Sequence, residues 1–312
     1  FAATLGFTVE QGTVEHIRSR ADLITRPSSE RIRDEFFQVL SVTGAERNLL
    51  LLESLGLLAR LLPELAPLKG FAPGRHHCYD IFTHSLRTAD HVDMIAGDLT
   101  ALVPEHADKI YAHLVKQLEP FVSRRAALRF ACLLHDSAKA ETYSRDNDGD
   151  IHFYGHDQIG AERTEIICKR FRLSKDSTEV IGRLVRHHMR PLNLAGPAGP
   201  SKRALYRYCR DLRDAVPESI VLSLADAKAT AEAMPMDGFT DTRQISRQIL
   251  DYYYDRFLKT EAKPFVTGKD LIARGMKPGP TFREILEDIR ERQAAGTLKD
   301  RQEALEHLDR MR

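Results

Sequence analysis

The stretch CLLHDSAKA, residues 132–140, places a histidine and an aspartate side by side at the end of an apolar run. His135 and Asp136 are followed by Lys139, three residues after the aspartate. A buried imidazole or carboxylate needs polar partners, and one shared cation satisfies several such groups at once. The stretch therefore predicts either a metal site or the polar end of a buried helix, and partners elsewhere in the chain decide between them.

The composition is that of a globular chain with no membrane segment. The chain has 312 residues, of which 42% are hydrophobic and 29% charged, with a net charge of +1. This length suggests two or three modules, and no stretch has the length or apolar character of a membrane span. The start of the chain shows no charged and apolar segments typical of a signal peptide, and we expect that the N-terminus was cut or that upstream sequence is missing. Widely spaced cysteines predict free thiols in a reducing cytoplasm; they are Cys78, Cys132, Cys168 and Cys209.

Apolar residues recur at helical spacing along almost the whole chain. Ile32, Phe36 and Leu40 lie four residues apart, and either Ser28 or Ser29 is expected to be the N-cap of their helix. The exception is residues 141–156, where the strand-like segments ETYS and IHFYGH flank the turn sequence RDNDGD. The pattern predicts an all-α, multi-helical fold with one small β-hairpin.

Histidines are concentrated in the middle of the chain. Eleven of the 13 lie between positions 76 and 188, several of them on or beside predicted helices. A lone buried histidine is usually a structural hydrogen-bonding residue, so the case for a metal depends on the set. Imidazole and carboxylate ligands without a thiolate suit Mn, Fe, Ni, Co, Zn or Mg. The candidate ligands are His84, His135, Asp136, His156, His187 or His188, and Asp226.

This ordered set resembles the HD superfamily of metal-dependent phosphohydrolases, and HDSAK resembles its HD-x-x-K form. The resemblance implies one metal held by four side chains, which are His84, His135, Asp136 and Asp226. A second metal would be held by His156 and His187 with Asp136 as the bridge, and His188 would support His187. The expected cofactors are one or two Mn, Ni, Fe, Co or Mg ions.

The same resemblance implies a catalytic set around Asp136. In a paired-metal site, an activated water attacks phosphorus. Nearby cations would neutralise the phosphate oxygens, and Lys139, Arg186 and Arg190 are the candidates. The alternative for these three cations is ordinary surface solvation.

A closer resemblance covers residues 1–305. FAATLGFTVE at the start and SSERIRDEF at 28–36 are similar to the neck motifs of bacterial tRNA nucleotidyltransferases and poly(A) polymerases of the class II type. HFYGHDQIGAE, RHHMRP and VTGKDLIARGMKPGPTFREIL are similar to the HD-containing branch of that family. The family's nucleotidyltransferase head carries a Gly-Ser loop, a D-x-D pair and an R-R-D-F-T-like strand in that order, and this ordered set has no counterpart in this sequence. By itself the chain is not expected to add nucleotides.

The resemblance also suggests four modules. They are a helical neck at 1–70, an HD core at 71–195 completed by the helix that carries Asp226, a helical body at 196–258 and a helical tail at 259–312. The expected partners are tRNA or other RNA 3′ ends and small nucleotides.

Two basic segments fit RNA handling. GPSKRALYRYCRDLR, at 199–213, interleaves Tyr206 and Tyr208 with cations that would track phosphates, unless the tyrosines belong to the core. GMKPGPTFREI, at 275–285, opens a helix near Thr281 with a Gly-rich turn that can hold a phosphate. The expected RNA-binding residues are Lys202, Arg203, Arg207, Arg210, Lys269 and Lys277.

Three functions remain open at this level. The first is a phosphohydrolase acting on RNA ends or nucleotides, such as 2′,3′-cyclic phosphates, 2′-nucleotides or phosphomonoesters. The second is a non-catalytic tRNA-binding body with a structural metal site. The third is an HD hydrolase of a signalling nucleotide, which explains the ligand set but not the neck and tail motifs.

Overall fold

Helices form nearly all of the regular structure in the computed structural model, which describes residues 1–71, 79–196, 199–233 and 238–311. The all-α, HD-type fold expected from the sequence is confirmed. Among the described residues, no helix combines the length and apolar content needed to cross a bilayer. Cys132, Cys168 and Cys209 are free and buried, whereas Cys78 lies outside the described residues.

The neck begins with short helices and packs through aromatic rings. Its α-helices are α1 (Ala2–Leu5), α2 (Gln11–Ser19), α3 (Ser29–Ser41), α4 (Ala45–Ser54) and α5 (Leu58–Leu61). The Ser28 hydroxyl accepts a hydrogen bond from the Arg31 amide, so Ser28, one of the two expected candidates, is the N-cap of α3. Phe36 and Phe37 of α3 both contact the ring of Phe130, with centroids 5.9 Å and 5.3 Å away. The neck therefore packs directly on the next module.

The HD region is a bundle around one central helix. Its α-helices are α6 (Ile81–Gly97), α7 (Leu99–Leu102), α8 (Ala107–Leu114), α9 (Arg124–Leu134), α10 (His156–Arg170), α11 (Lys175–His187) and α12 (Arg190–Leu194). All but one of the residues of α9 are buried, because α6, α11 and α3 cover it on different sides. Such a helix has no solvated face, which explains why CLLHDSAKA begins as an apolar run.

The body and tail continue the helical pattern. Their α-helices are α13 (Lys202–Leu212), α14 (Val216–Ala233), α15 (Gly238–Tyr252), α16 (Leu258–Ala262), α17 (Gly268–Ala273), α18 (Pro280–Ala295) and α19 (Arg301–Arg310). Helix α14 packs against α6 and so completes the HD region, whereas α13 packs against α18 of the tail. A single hydrophobic core runs from Phe36 to Phe257 and reaches Ala294, and the tail has a second, smaller core around Leu271 and Ile289.

The small β-structure differs from the prediction in two ways. Strands β3 (Ser144–Arg145) and β4 (Ile151–His152) form the predicted hairpin, but α10 already begins at His156. Gly155 has φ +78°, a left-handed conformation that lets the chain turn into this helix. A second hairpin joins β1 (Gln117–Glu119) to β2 (Val122–Ser123), and sequence analysis missed it because the strands are too short to show an alternating pattern.

The junction of body and tail is helical in part. Leu258–Ala262 forms α16, which continues a π-helical turn at Tyr253–Phe257. The tail helix expected near Thr281 begins at Pro280 as α18, in agreement with the preference of proline for the first helical turn.

Candidate metal centre

The ends of several helices converge on Asp136. His135 directly follows α9, His156 is the first residue of α10, and His188 directly follows α11. Helices α6 and α14 pack against each other and bring His84 next to Asp226 across 142 residues of sequence. Five of the six predicted ligands are thus brought together, with His188 in the place of His187.

The carboxylate of Asp136 faces two groups of histidines with its two oxygens. Its Oδ2 atom lies 3.3 Å from His135 Nε2 and 3.9 Å from His84 Nε2. Its Oδ1 atom lies 3.6 Å from His156 Nε2 and 3.6 Å from His188 Nε2. One carboxylate therefore belongs to two neighbouring groups of potential metal ligands, which is the arrangement expected of a bridging residue.

Asp226 closes the first of these groups. Its Oδ1 atom lies 2.8 Å from His84 Nε2 and 3.8 Å from His135 Nε2. Burial alone would raise the pKa of Asp226, but the hydrogen bond and charge of His84 keep it well below its ordinary value. Burial likewise disfavours ionisation of Asp136, yet His135 and Lys139 hold the pKa of that carboxyl well below its usual range. Both carboxylates are therefore charged at neutral pH.

Three of the histidines are oriented by the same local contact. The Nδ1 atoms of His135, His156 and His188 each lie 2.7 Å from the backbone carbonyl oxygen three residues earlier. A carbonyl can only accept, so Nδ1 carries the proton and donates it, and Nε2 is left with a free lone pair. This fixed tautomer is the one found in metal-ligating histidines. Sequence analysis missed these carbonyls because backbone groups leave no trace in a motif.

The lone pairs face one another, which is the strongest sign that the site suits a cation. The Nε2 atoms of His156 and His188 lie 3.1 Å apart. Two neutral rings in this tautomer repel each other unless a cation or a shared proton lies between them. His135 Nε2 and Asp136 Oδ1 are buried and accept no hydrogen bond within the described chain. Burial also lowers the pKa of His156, which favours the neutral ring that a metal requires. These residues therefore fit a divalent metal.

The structure corrects the choice of His187 over His188. His188 is buried and belongs to the group with Asp136 and His156. The ring of His187 instead lines a cavity of about 760 Å³. Arg210 and Tyr206 also line this cavity, and no residue of the cluster does. Burial, followed by the positive charge of Arg190, lowers the pKa of His187 to about 4. Consecutive residues at a helix end point about 100° apart, so only one of this pair can face the site.

The three predicted phosphate-neutralising cations lie in different surroundings. Lys139 Nζ donates to Asp136 Oδ2 at 2.6 Å and thus touches the cluster. Arg190 donates to Asp211 at 2.7 Å and lies over the ring of Tyr208, so the structure does not bring it to the cluster. Arg186 is half-buried on α11, and it lies outside both groups of potential metal ligands.

The predicted RNA-binding residues differ in whether they form ion pairs within the chain. Arg203 and Arg207 of α13 both pair with Glu291 of α18, although each keeps about half of its side chain exposed. Arg210 pairs with Asp211. Tyr206 and Tyr208 are buried in the core, which is the alternative to base stacking that the sequence left open. The remaining predicted residues are exposed, namely Lys202, Lys269 and Lys277.

Two family models match the chain. The model described as "Probable RNA and SrmB- binding site of polymerase A" matches residues 6–69, and the model described as "HD domain" matches residues 81–231. The second match contains all the residues of the cluster. The first match coincides with the predicted neck.

Curated proteins similar to this chain include tRNA nucleotidyltransferases. An A-adding tRNA nucleotidyltransferase of Deinococcus radiodurans is 30% identical over 99% of this chain and 66% of its own length. A CC-adding tRNA nucleotidyltransferase of Thermus thermophilus is 29% identical over 97% of this chain and 62% of its own length. A bifunctional uridylyltransferase/uridylyl-removing enzyme of Phenylobacterium zucineum is 28% identical over 46% of this chain.

The chain thus spans less than two thirds of the length of the two nucleotidyltransferases. The neck and HD matches, the similarity along nearly the whole chain and the ordered cluster agree with one another. The chain belongs to the HD-domain-containing family of bacterial tRNA nucleotidyltransferases and poly(A) polymerases, and it corresponds to their neck, HD, body and tail regions rather than to the nucleotidyltransferase head.

Proposed function

We propose that the chain is a metal-dependent phosphohydrolase that acts on phosphate esters of RNA ends or nucleotides. The observation that supports this most directly is that Asp136 presents one oxygen to each of two histidine groups. One of the similar proteins is named as a uridylyl-removing enzyme, which agrees with an activity on phosphate esters. The proposed setting is the tRNA-binding part of an enzyme of tRNA 3′-end processing in the cytoplasm.

Two sets of residues would hold the metal ions. The first is His84, His135, Asp136 and Asp226, and the second is Asp136, His156 and His188. Their nitrogen and oxygen atoms suit Mn, Ni, Fe, Co or Mg. When bound, such ions supply Lewis acidity toward a phosphate and lower the pKa of water.

The chain's own residues prepare the site for an anionic substrate. The backbone hydrogen bonds of His135, His156 and His188 keep their Nε2 lone pairs directed into the site without a conformational search. Lys139 is the cation nearest to Asp136 and is itself mostly buried, so its charge is poorly screened. We propose that Lys139 binds a phosphate oxygen of the substrate and that Arg186 and Arg190 act further from the reacting atoms.

A second function is supported by a different observation. The match to an RNA-binding family model at residues 6–69 and the exposed lysines of the tail favour a body that grips tRNA. Both functions hold together if the metal centre trims the RNA end that the body binds. If only the second holds, the metal centre is structural.

One experiment separates these functions. The full chain is mixed with 2′,3′-cyclic AMP, 2′-AMP or p-nitrophenyl phosphate in the presence of Mg, Mn, Ni or Co, and tRNA binding is measured in parallel. Asp136→Ala should abolish hydrolysis and leave tRNA binding unchanged, because Asp136 is the residue shared by both groups of potential ligands.

The matched control removes a histidine outside the cluster. His187→Ala should retain hydrolysis, since its ring lines a different cavity. Absence of turnover with every metal, on these esters and on cytidine 2′,3′-cyclic phosphate, in a folded chain that still binds tRNA, would leave only the binding function. Turnover that survives in Asp136→Ala would show that the reaction occurs elsewhere.

A further inference from the structure

A small pocket opens beside the metal centre and is not explained by metal binding. Its walls include His188 and Asp226, which belong to the cluster, and it extends between α14, α12 and the start of α15. The other lining residues are mostly apolar, and the large ones are Met189, Leu192 and Phe239. A phosphate ester bound at the cluster would therefore extend an attached group into this pocket.

The size of the pocket limits that group. Its volume is about 150 Å³. An apolar cavity of about 150 Å³ holds one benzene ring. The volume of this pocket therefore matches one six-membered ring more closely than the fused double ring of a purine. Phe239 lines the pocket, and aromatic side chains stack on nucleic-acid bases.

The polar groups of the pocket suit a base rather than a purely hydrocarbon group. Ser223 and Thr230 line it, and within the described part of the chain neither hydroxyl takes part in a side-chain hydrogen bond. A hydroxyl both donates and accepts, so it pairs equally with the carbonyl or the amino edge of a pyrimidine. Thr242 differs, because its hydroxyl already donates to the Gly238 carbonyl at 2.8 Å.

We propose that this pocket is a pyrimidine-binding subsite that selects cytidine- or uridine-bearing phosphate esters for the metal centre. The proposal rests on the proposed hydrolase function, but its test does not. Nucleosides carry no phosphate, so the hydrolase cannot consume them and their binding reports on the pocket alone. Saturation-transfer NMR of the metal-free full chain with cytidine, uridine or adenosine measures such weak binding.

The expected result is a pyrimidine preference that depends on the pocket. Cytidine and uridine should bind about 10-fold more tightly than adenosine, within the discrimination that hydrophobic pockets reach. Thr230→Phe fills the pocket and should abolish this preference. Thr240→Phe is the matched control, because Thr240 is exposed and does not line the pocket. Leu192→Ala, which truncates a half-exposed wall residue, should admit adenosine.

The outcomes distinguish this proposal from the hydrolase function. Equal binding of all three nucleosides, no binding of any, or a cytidine affinity that Thr230→Phe leaves unchanged would overturn the subsite. Pyrimidine-selective binding without hydrolysis of any phosphate ester would support the subsite and refute the hydrolase. Hydrolysis at equal kcat/KM for cytidine and adenosine 2′,3′-cyclic phosphates would support the hydrolase and refute the subsite.

Discussion

At the scale of single residues, His187 and His188 show how one position changes the role of a side chain. His188 donates from Nδ1 to the Val185 carbonyl and turns Nε2 to His156, whereas His187 faces a separate cavity. The two differ in burial and surroundings although they are the same residue type in one helix turn. We therefore expect His188 to bind metal and His187 not to.

Metal content tests this expectation. His188→Ala should lower the stoichiometry toward one metal per chain, or weaken the affinity of the second site by at least about 10-fold, because a ligand nitrogen is lost. His187→Ala should keep the wild-type stoichiometry. The measurement is metal titration by calorimetry with elemental analysis of the loaded protein. Loss of metal in His187→Ala and not in His188→Ala would contradict the geometry.

The sequence could predict most of this site but not all of it. His84, His135, Asp136, His156 and Asp226 were found because their types and order are specific. The choice between His187 and His188 depends on where α11 ends and on a rotation of about 100°, which apolar spacing does not fix. The placement of Arg190 depends on its partner Asp211, which comes from another helix.

At the scale of elements, a fully buried arginine of α9 connects this helix to its neighbours. Arg129 donates to the carbonyls of Leu40 and Val42 and to the carboxylate of Asp93. It thereby joins the end of α3, the helix α6 and the centre of the HD region. Arg125, one turn earlier, lies 3.8 Å from the same carboxylate and is partly exposed.

This pair gives a matched test of stability. Arg129→Met should lower the free energy of unfolding by about 3–5 kcal/mol, because buried acceptors lose their donor. Arg125→Met should lower the free energy of unfolding by less than about 1 kcal/mol, because the Arg125–Asp93 ion pair is partly exposed to solvent. Urea unfolding followed by circular dichroism measures both. Equal costs for the two variants would show that burial does not control the contribution of this network.

The start of α17 carries a pH-dependent contact. Thr267 and Asp270 form a capping box, and Asp270 also pairs with Arg301 of α19. Burial opposes ionisation, but the hydrogen bonds of Arg301 and Thr267 lower the pKa of Asp270 to about 2. The folded carboxyl thus binds its proton less readily than the unfolded one, whose pKa is near 3.8. The stabilisation is complete above pH 3.8 and is lost as the pH falls toward 2.

Asp270→Asn checks the sign of this dependence. The variant should lower the melting temperature of the tail at pH 7, with a cost of about 1 kcal/mol for a lost cap. The difference from the wild-type chain should shrink as the pH falls from 4 toward 2. Thermal melts by circular dichroism at several pH values give the comparison. A difference that grows on acidification would contradict the assignment.

Element boundaries show why the fold was only partly predictable. Long helices such as α3 and α6 have repeated apolar positions, so their periodicity was readable. Strands β1 and β2 have three and two residues, too few for any period. Their turn depends on Phe121, which adopts a positive φ of 65° that a bulky side chain rarely takes.

At the scale of the whole molecule, the tail has its own small core and also contacts the body through ion pairs. Glu291 of α18 pairs with Arg203 and Arg207 of α13, so these two arginines serve an internal contact before any RNA binds. The exposed lysines of the tail are free of this competition. We therefore expect Lys277 to contribute to RNA affinity, although it lies beside a turn.

The salt dependence of tRNA binding tests whether Lys277 of the tail contacts an RNA phosphate. Lys277→Glu should weaken tRNA binding and reduce the slope of log K against log salt by about 1, because one phosphate contact is lost. Lys175→Glu is the control, because Lys175 is highly exposed in the HD region and was not predicted to bind RNA. Filter binding over a range of salt concentrations provides the slopes. Equal slopes for all three proteins would exclude Lys277 from the interface.

The separation in sequence of the cluster residues has a consequence beyond chemistry. His84 and Asp226 are 142 residues apart along the chain, and His156 and His188 are 32 apart. An ion held by such groups acts as a reversible crosslink, and crosslinks that close long loops remove the most entropy from the unfolded chain. Chelation should then lower the unfolding temperature of the neck, HD region and body together, because they share one core. A bound metal ion would then stabilise the fold even when no substrate is present.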